Sequence, residues 1–309
     1  MNTAIRAAVA AVIVLAAALG ANMEEKPTTK RIEVVAHRGA SNDAPENTLA
    51  AFKLAREQGA DWFELDCRQC KGGEVVVMHD ETVDRTTSGK GKVAELTLEQ
   101  LQALDAGSWK DAGYTGERVP TLKAALELAD ADCGCFVEVK PINQGNLKDL
   151  LERTAAGKLG RDENFDREFL AAVADSPDAT LARAVIADIR AAGKQKFVVL
   201  QSFSPVVCGV IAIEAPELKV ELLGGAKDAA AWEGYYRWLF LFEFNGLNTS
   251  ASALTEGRLD VIQSGGKSCA VYTVDDTAEM QRLAEMGVNR IITNKPALCL
   301  EELAKLGRR

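Results

Sequence analysis

Runs of lysine and arginine are missing from this chain, and its formal net charge is −9. That balance argues against nucleic acid as a partner. It also sets a condition on any phosphate chemistry: an anionic substrate beside acidic side chains needs a cation, either a metal ion or fixed Arg and Lys. Apolar runs of membrane-spanning length are missing as well. The N-terminal run Ala7–Leu19 has 13 residues, short of the ~20 that a spanning helix needs. It follows one positive residue, Arg6, and ends in Ala18-Leu19-Gly20, the pattern of an export signal over residues 1–20. No cysteine follows it, so lipid attachment there has no support. Residues 21–30 read as a polar, flexible leader. The expectation is an exported protein, periplasmic or extracellular, with membrane contact confined to the signal segment and an uncleaved anchor as the alternative. Repeats and low-complexity tracts are absent beyond the leader.

Cysteine occurs an odd number of times, seven, so at least one lacks an intrachain partner. Cys67 and Cys70 form a C-x-x-C, Cys133 and Cys135 a C-x-C, and Cys208, Cys269 and Cys299 stand alone. A four-cysteine zinc site would need a small surrounding domain, whereas the flanking residues read as strands. Two readings stay open: a disulfide between the first two pairs, which export permits, and buried free thiols. Aromatics are few and gather in one stretch, Trp232–Phe244. It reads as a core helix leading into a strand; the alternative is a lipid-facing surface.

What remains alternates strand and helix signals to the end. Strands are expected at Ile32–Ala36, Trp62–Asp66, Phe136–Val139, Phe197–Gln201, Lys219–Leu223, Phe244–Asn248, Ala270–Val274 and Arg290–Thr293. Helices are expected at Asn47–Gln58, Leu122–Ala129, Leu181–Ala192, Pro205–Ile213, Leu254–Ser264 and Ala278–Met286. Eight strands with helices between them predict an α/β fold, a distorted (β/α)₈ barrel over residues 31–309. Val75–His79 is not a ninth barrel strand. Only Lys71-Gly72-Gly73 separates it from the second strand, room for a hairpin turn but not a parallel crossover. Residues 80–120 then read as a small inserted subdomain after this hairpin, with a short helix at Leu98–Leu104, overhanging the barrel mouth where it can select substrates. A second excursion, Asn143–Asp178, reads as short peripheral helices.

Histidine is the scarcest chemical resource, with two residues in the chain. Both follow β-branched runs, His37 in Val34-Val35-Ala36-His37-Arg38-Gly39 and His79 in Val75-Val76-Val77-Met78-His79-Asp80, so both should sit at strand ends. Phosphodiester hydrolysis needs a base for the nucleophile, an acid for the leaving alkoxide and positive charge on the phosphoryl oxygens. Two imidazoles suit the first two duties. Between them Glu64-Leu65-Asp66 puts two carboxylates on one strand face, and Glu138 ends the next barrel strand. Three carboxylates directed into an apolar barrel cannot all stay ionised without compensation. One divalent cation with oxygen ligands, Ca²⁺ or Mg²⁺, supplies it; the alternative is a buried network in which Arg38 and Lys140 pair with the carboxylates. Arg38 and Lys140 are candidate phosphate contacts. Gly39 lets the backbone pass close to a ligand, and Asn47 reads as the N-cap of the following helix. Phe203 and Tyr272, at later strand ends, are candidate pocket walls or core residues.

Taken in order, these pieces resemble the glycerophosphodiester phosphodiesterase family, within the phospholipase-C-like phosphodiesterase superfamily. The matching segments are Ala36-His37-Arg38-Gly39-Ala40, Pro45-Glu46-Asn47-Thr48, Glu64-Leu65-Asp66, His79-Asp80, Asp84-Arg85-Thr86-Thr87, Gly91-Lys92-Val93, Val119-Pro120-Thr121-Leu122, Val137-Glu138-Val139-Lys140, Gln201-Ser202-Phe203, Tyr272-Thr273-Val274 and Gly287-Val288. The resemblance implies metal-dependent cleavage of a small glycerophosphodiester to sn-glycerol 3-phosphate and an alcohol. It implies acid/base roles for His37 and His79, metal ligation by Glu64, Asp66 and Glu138, and phosphate contacts from Arg38 and Lys140. A neighbouring glycerol hydroxyl that attacks first, giving a cyclic phosphate, belongs to the same expectation. Tyr272 stands where the family often has Trp, and Asn294 where it often has Asp, a change expected to touch packing more than chemistry. Two other functions compete: a lysophospholipase-D-like or phosphoinositide-directed member of the superfamily, and a catalytically silent phosphate-binding barrel.

Overall fold

A computed structural model describes residues 30–142 and 161–309. The signal and leader readings, and residues 143–160 of the second excursion, lie outside the described residues. Eight parallel strands close into a barrel: β1 (Glu33–Ala36), β2 (Trp62–Gln69), β4 (Gly134–Val139), β5 (Val198–Ser202), β6 (Lys219–Gly224), β7 (Gly246–Ser250), β8 (Ala270–Tyr272) and β9 (Arg290–Thr293). Each pairs in parallel with its neighbours, and the β1–β2 and β1–β9 pairings complete the circle. The predicted (β/α)₈ barrel is the fold observed. β3 (Val75–Val77) is the hairpin partner of β2, antiparallel, with Cys67 opposite Val77 and Gln69 opposite Val75.

Alternation along the strands divides the side chains between two environments. Phe63, Leu65 and Cys67 of β2, with Val137 and Val139 of β4, join the buried layer under the helices. The residues between them point inward. Val35, Phe136, Val199, Ala270 and Ile292 form an apolar layer inside the barrel, with Trp62 and Tyr272 packed on it. At the N-terminal end of the strands Arg290 fills the bore. It pairs with Glu33 at 2.7 Å and Glu221 at 2.9 Å, and its guanidinium lies 5.2 Å from the centre of the Phe136 ring. The acidic residues of β2 and β4 lie above this plug, towards the C-terminal mouth where barrels of this kind carry their chemistry.

The helix α1 (Leu49–Glu57) starts at Thr48, whose hydroxyl accepts the Ala51 N–H. The cap is therefore Thr48 and not Asn47, which takes a positive φ of 61° and points elsewhere. Residues 78–119 carry their own small core of Met78, Val83, Val93, Leu101, Ala106 and Val119, beside Cys70 and Val76 of the hairpin. Within it, α2 (Leu98–Ala103) begins at a reciprocal Thr97–Gln100 cap. The aromatic stretch forms a helix, Ala229–Leu241, whose Trp232, Trp238 and Leu239 are buried, followed by buried Phe242 and Phe244. Its core reading holds, and β7 begins at Gly246 rather than Phe244. A final helix, Pro296–Lys305, was not expected from the sequence; its leading proline is the residue that starts it, since the first helical turn needs no N–H there. All seven cysteines are free and buried, so no disulfide joins the first two pairs. No described helix is long and apolar enough to cross a membrane.

Candidate active site

The register of the strands assembles the acidic cluster. Asp66 lies opposite Glu138 across the β2–β4 pair, while Glu64 sits one inward position before Asp66 on the same strand. One oxygen from each of Glu64, Asp66 and Glu138 falls within 4.8 Å of the others, and all three side chains are buried. Their ionisation is uneven. Burial, with Asp66 and Glu138 nearby, drives the Glu64 carboxyl well above its ordinary range. Burial and the Asp66 charge push Glu138 up to about 7, against the pull of Lys140. Asp66 resists its own burial because Lys140 and Arg38 hold it far below the usual carboxylate value.

Lys140 Nζ meets Asp66 Oδ1 at 2.8 Å and Glu138 Oε1 at 2.6 Å, so the ammonium is committed to carboxylates. Arg38 Nε is 3.4 Å from Asp66 Oδ2, and its Nη1 donates to Glu46 at 2.8 Å. The Arg38 amide donates to Glu64 Oε2 at 2.9 Å, which ties the β1 loop to the cluster. Asn47, expected as a cap, instead donates from Nδ2 to Asp66 Oδ2 at 2.8 Å and accepts the Asp66 N–H on Oδ1. Its amide fixes the carboxylate's rotation. Gln201, at a strand end flagged by the sequence only for its motif, donates to Glu64 at 3.4 Å and accepts from Asn248 at 3.0 Å.

A hard cation fits this donor set. Two fixed positive charges face three carboxylates, two of which are driven towards protonation, and Asp66 Oδ1 accepts no well-directed hydrogen bond beyond the Lys140 ion pair. Oxygen-only donors at this spacing suit Ca²⁺ or Mg²⁺.

The two histidines are held differently. His37 follows β1, and its amide donates to Thr293 O of β9 at 2.8 Å. Its Nδ1 lies 2.8 Å from Asn294 Oδ1, an acceptor only, so Nδ1 carries the proton and Nε2 is the free nitrogen. Asn294 is oriented in turn by Asp275, which accepts from its Nδ2 at 2.6 Å and its backbone amide at 2.8 Å. Asn294, read from the sequence as touching packing more than chemistry, is the residue that anchors the His37 ring. Burial and the Arg38 charge press the His37 pKa down to about 4. His79 lies beyond β3 on the hairpin, with Nδ1 2.7 Å from Asp80 Oδ1, and Asp80 is held by Arg85. Burial lowers its pKa as well, while Asp66 and the Asp80 contact pull the other way. Arg85 also clasps Glu46, so His79, Asp80, Arg85, Glu46, Arg38 and Asp66 form one chain of charges round the mouth.

Phe203 and Tyr272 stand together, ring centres 6.1 Å apart and edge to face. Phe203 is exposed, while the Tyr272 hydroxyl donates to Gly224 O at 2.9 Å. Asp275 carried no sequence signal of its role, and Asn294 carried only that of a departure from the family pattern. Asn47 did lie in a matched segment and was assigned the wrong task.

A parallel barrel with a carboxylate cluster at its C-terminal mouth and two anchored imidazoles defines a barrel hydrolase of phosphoric esters. Residues 37–298 match the glycerophosphoryl diester phosphodiesterase family. A glycerophosphodiester phosphodiesterase of Caldanaerobacter subterraneus subsp. tengcongensis is 33% identical over 282 residues, covering 89% of this chain and 98% of the relative. One from Bacillus subtilis is 30% identical, covering 87% of this chain and 85% of the relative. Among solved structures, an Oleispira antarctica phosphodiesterase in complex with the product sn-glycerol-3-phosphate superposes with a TM-score of 0.71 at 25% identity, covering 88% of this chain and 96% of that one. The chain belongs to the glycerophosphoryl diester phosphodiesterase family, and it is an enzyme of that kind.

Proposed function

We propose that this enzyme hydrolyses glycerophosphodiesters to sn-glycerol 3-phosphate and an alcohol with the help of one divalent cation. The observation that carries the reading is the buried Glu64–Asp66–Glu138 cluster, whose oxygens converge within 4.8 Å beneath a mouth that carries both histidines of the chain. The names of its relatives, and the product bound to one of them, support the substrate class. Glu64, Asp66 and Glu138 would hold the cation. When bound, it supplies positive charge to the phosphoryl oxygens.

The protein's own groups divide the remaining work. His37, neutral at physiological pH and protonated on Nδ1, offers Nε2 as the general base to the attacking hydroxyl. His79, acting in its protonated form, which the Asp80 contact and the Asp66 charge favour against burial, is the general acid that protonates the leaving alkoxide. If the attacking group is the neighbouring glycerol hydroxyl, a cyclic phosphate forms. The same two imidazoles then exchange roles to admit water and open it. Arg38 and Lys140, here paired with carboxylates, would be freed for the phosphate where a divalent ion takes over those carboxylates.

The helix Ala229–Leu241 turns Trp232, Trp238 and Leu239 into the core and leaves Phe240 as its one exposed aromatic, which weighs against an enzyme of intact or lyso lipids. All five chemical residues are present, which weighs against a silent barrel. Export remains part of the proposal, on the strength of residues 1–20, as do the limits of the barrel domain, 31–309, and its insertion, about 80–120. N-terminal sequencing of the protein recovered from culture medium or periplasm tests the first.

The decisive assay is release of sn-glycerol 3-phosphate from glycerophosphocholine with Ca²⁺, with Mg²⁺ and with chelator. Ion-dependent release is expected. Turnover undiminished by chelator sinks the metal role, and no turnover with either ion on any glycerophosphodiester sinks the hydrolase reading.

A further inference from the structure

The three carboxylates of the cluster are braced in different ways. Asn47 fixes the rotation of Asp66, and Lys140 holds both Asp66 and Glu138. Glu64 has neither support. It makes no ion pair among the described residues, and two neutral donors divide its oxygens. The Arg38 amide takes Oε2 at 2.9 Å, and Gln201 Nε2 takes Oε1 at 3.4 Å.

The second of these donors comes from β5, two strands round the barrel from β2. Gln201 lies opposite Glu138 in the β4–β5 register, on the row that also holds Asp66. Both Gln201 and its partner Asn248 on β7 are buried inside the barrel. An amide there is costly unless its polar atoms are bonded, and shape alone allows it to face either way round.

The direction is set from β8. The Ala270 N–H can only donate, and it takes Asn248 Oδ1 at 3.0 Å. Asn248 therefore turns Nδ2 the other way, where it donates to Gln201 Oε1 at 3.0 Å. With Oε1 engaged, Gln201 has Nε2 left for Glu64. A backbone amide that cannot turn round thus decides, through two side chains, that a donor and not an acceptor meets the carboxylate. A carboxylate held at both oxygens has little rotation left to lose when an ion arrives. An acceptor oxygen in the same place would push it aside.

We propose that Gln201, oriented by Asn248 and the Ala270 amide, is a positioning residue that presets the Glu64 carboxylate for a divalent cation and so strengthens ion binding. The inference rests on the metal reading above. Calorimetric titration of the metal-free protein with Ca²⁺, and separately with Mg²⁺, reads affinity without turnover. Gln201→Met keeps the length and loses the donor; it should raise Kd by about 10- to 100-fold with circular dichroism unchanged. Gln201→Asn, whose amide stops short of Glu64, should do the same and decides the matter if Gln201→Met does not fold. Asn248→Leu, or Asn248→Ser if the first does not fold, frees Gln201 to turn and should raise Kd by at least about threefold. Val199→Ala loosens the same bore without touching the relay and should leave Kd within about twofold.

A Kd within about twofold of wild type in the Gln201 variant overturns the inference, as does an equal rise in Val199→Ala. An Asn248 variant that binds as the wild type does overturns the orienting relay. A wild type that binds neither ion sinks the metal reading and this inference with it, whereas wild-type binding that every variant retains sinks this inference alone.

Discussion

Gly39 ties backbone conformation to catalysis closely enough to measure. It follows His37 and Arg38 at φ 80°, and its amide reaches Ala36 O and Glu64 O at 3.0 and 3.1 Å. A Cβ added there would lie 2.6 Å from the Ala51 carbonyl carbon and 2.7 Å from its Cβ and oxygen, in the first turn of α1. Helix backbone cannot step aside as a flexible side chain does. Gly39→Ala therefore combines a left-handed conformation, about 1–2 kcal/mol, with overpacking, about 1–3 kcal/mol. The sum is about 2–5 kcal/mol. For a barrel of about 280 residues, 1 kcal/mol corresponds to about 2 °C in Tm, so calorimetry should find a fall of about 4–10 °C. The displaced turn carries the Arg38 amide away from Glu64 and shifts His37. A misplacement of about 1 Å costs on the order of 10²-fold in rate, read as sn-glycerol 3-phosphate release well below both melting temperatures. A variant melting within about 1 °C of wild type with kcat within about twofold would refute the close-approach argument.

Other outcomes follow from the site. Saturation with Ca²⁺ at about 100 times its Kd should add about 2.7 kcal/mol, or about 5 °C; Glu64→Gln should abolish most of that gain, and an unchanged gain would remove Glu64 from the ligand set. His37→Ala and His79→Ala should each lower kcat by at least ~10² with circular dichroism unchanged; near-wild-type turnover in either removes that imidazole from acid/base duty. Because the chain has two histidines, an untagged sample gives two imidazole signals to follow by NMR. The His37 signal should titrate at about 4 and the His79 signal below 6.5. The sign follows from linkage: between 4 and 6.5 the unfolded chain binds a proton at His37 that the fold does not, so its contribution to stability is lost as pH falls through that window. A His37 signal titrating at 6.5 or above contradicts the burial argument.

The elements most legible in the sequence were those decided locally. Short apolar runs between helix signals located every barrel strand, and the Lys71-Gly72-Gly73 turn dictated the hairpin. The Glu64–Asp66 spacing placed two carboxylates on one face before any fold was known. What escaped depends on barrel closure. Asn294 reaches His37 only because β9 pairs with β1, joining residues 257 apart in sequence. Asp275 acts one step further back, through a side chain with no motif of its own. Asn47 was misassigned because Thr48 offers an equally good capping oxygen, and the choice turns on a positive φ that no composition reveals. The loop of the insertion is shaped by Asp105, which accepts the amides of Gly107, Ser108 and Gly116, contacts invisible to periodicity.

The Arg290 plug gives the barrel a blind end. With Glu33, Glu221 and the Phe136 ring around it, the bore beneath the acidic cluster is filled by side chains. Traffic is therefore one-way in architecture but two-way in use: a phosphomonoester must depart through the opening by which the next diester arrives. Under the proposed chemistry, the newly freed phosphate and an incoming substrate contend for Arg38, Lys140 and the same doorway. Accumulating product should then compete with substrate for the site rather than merely drive the reverse reaction.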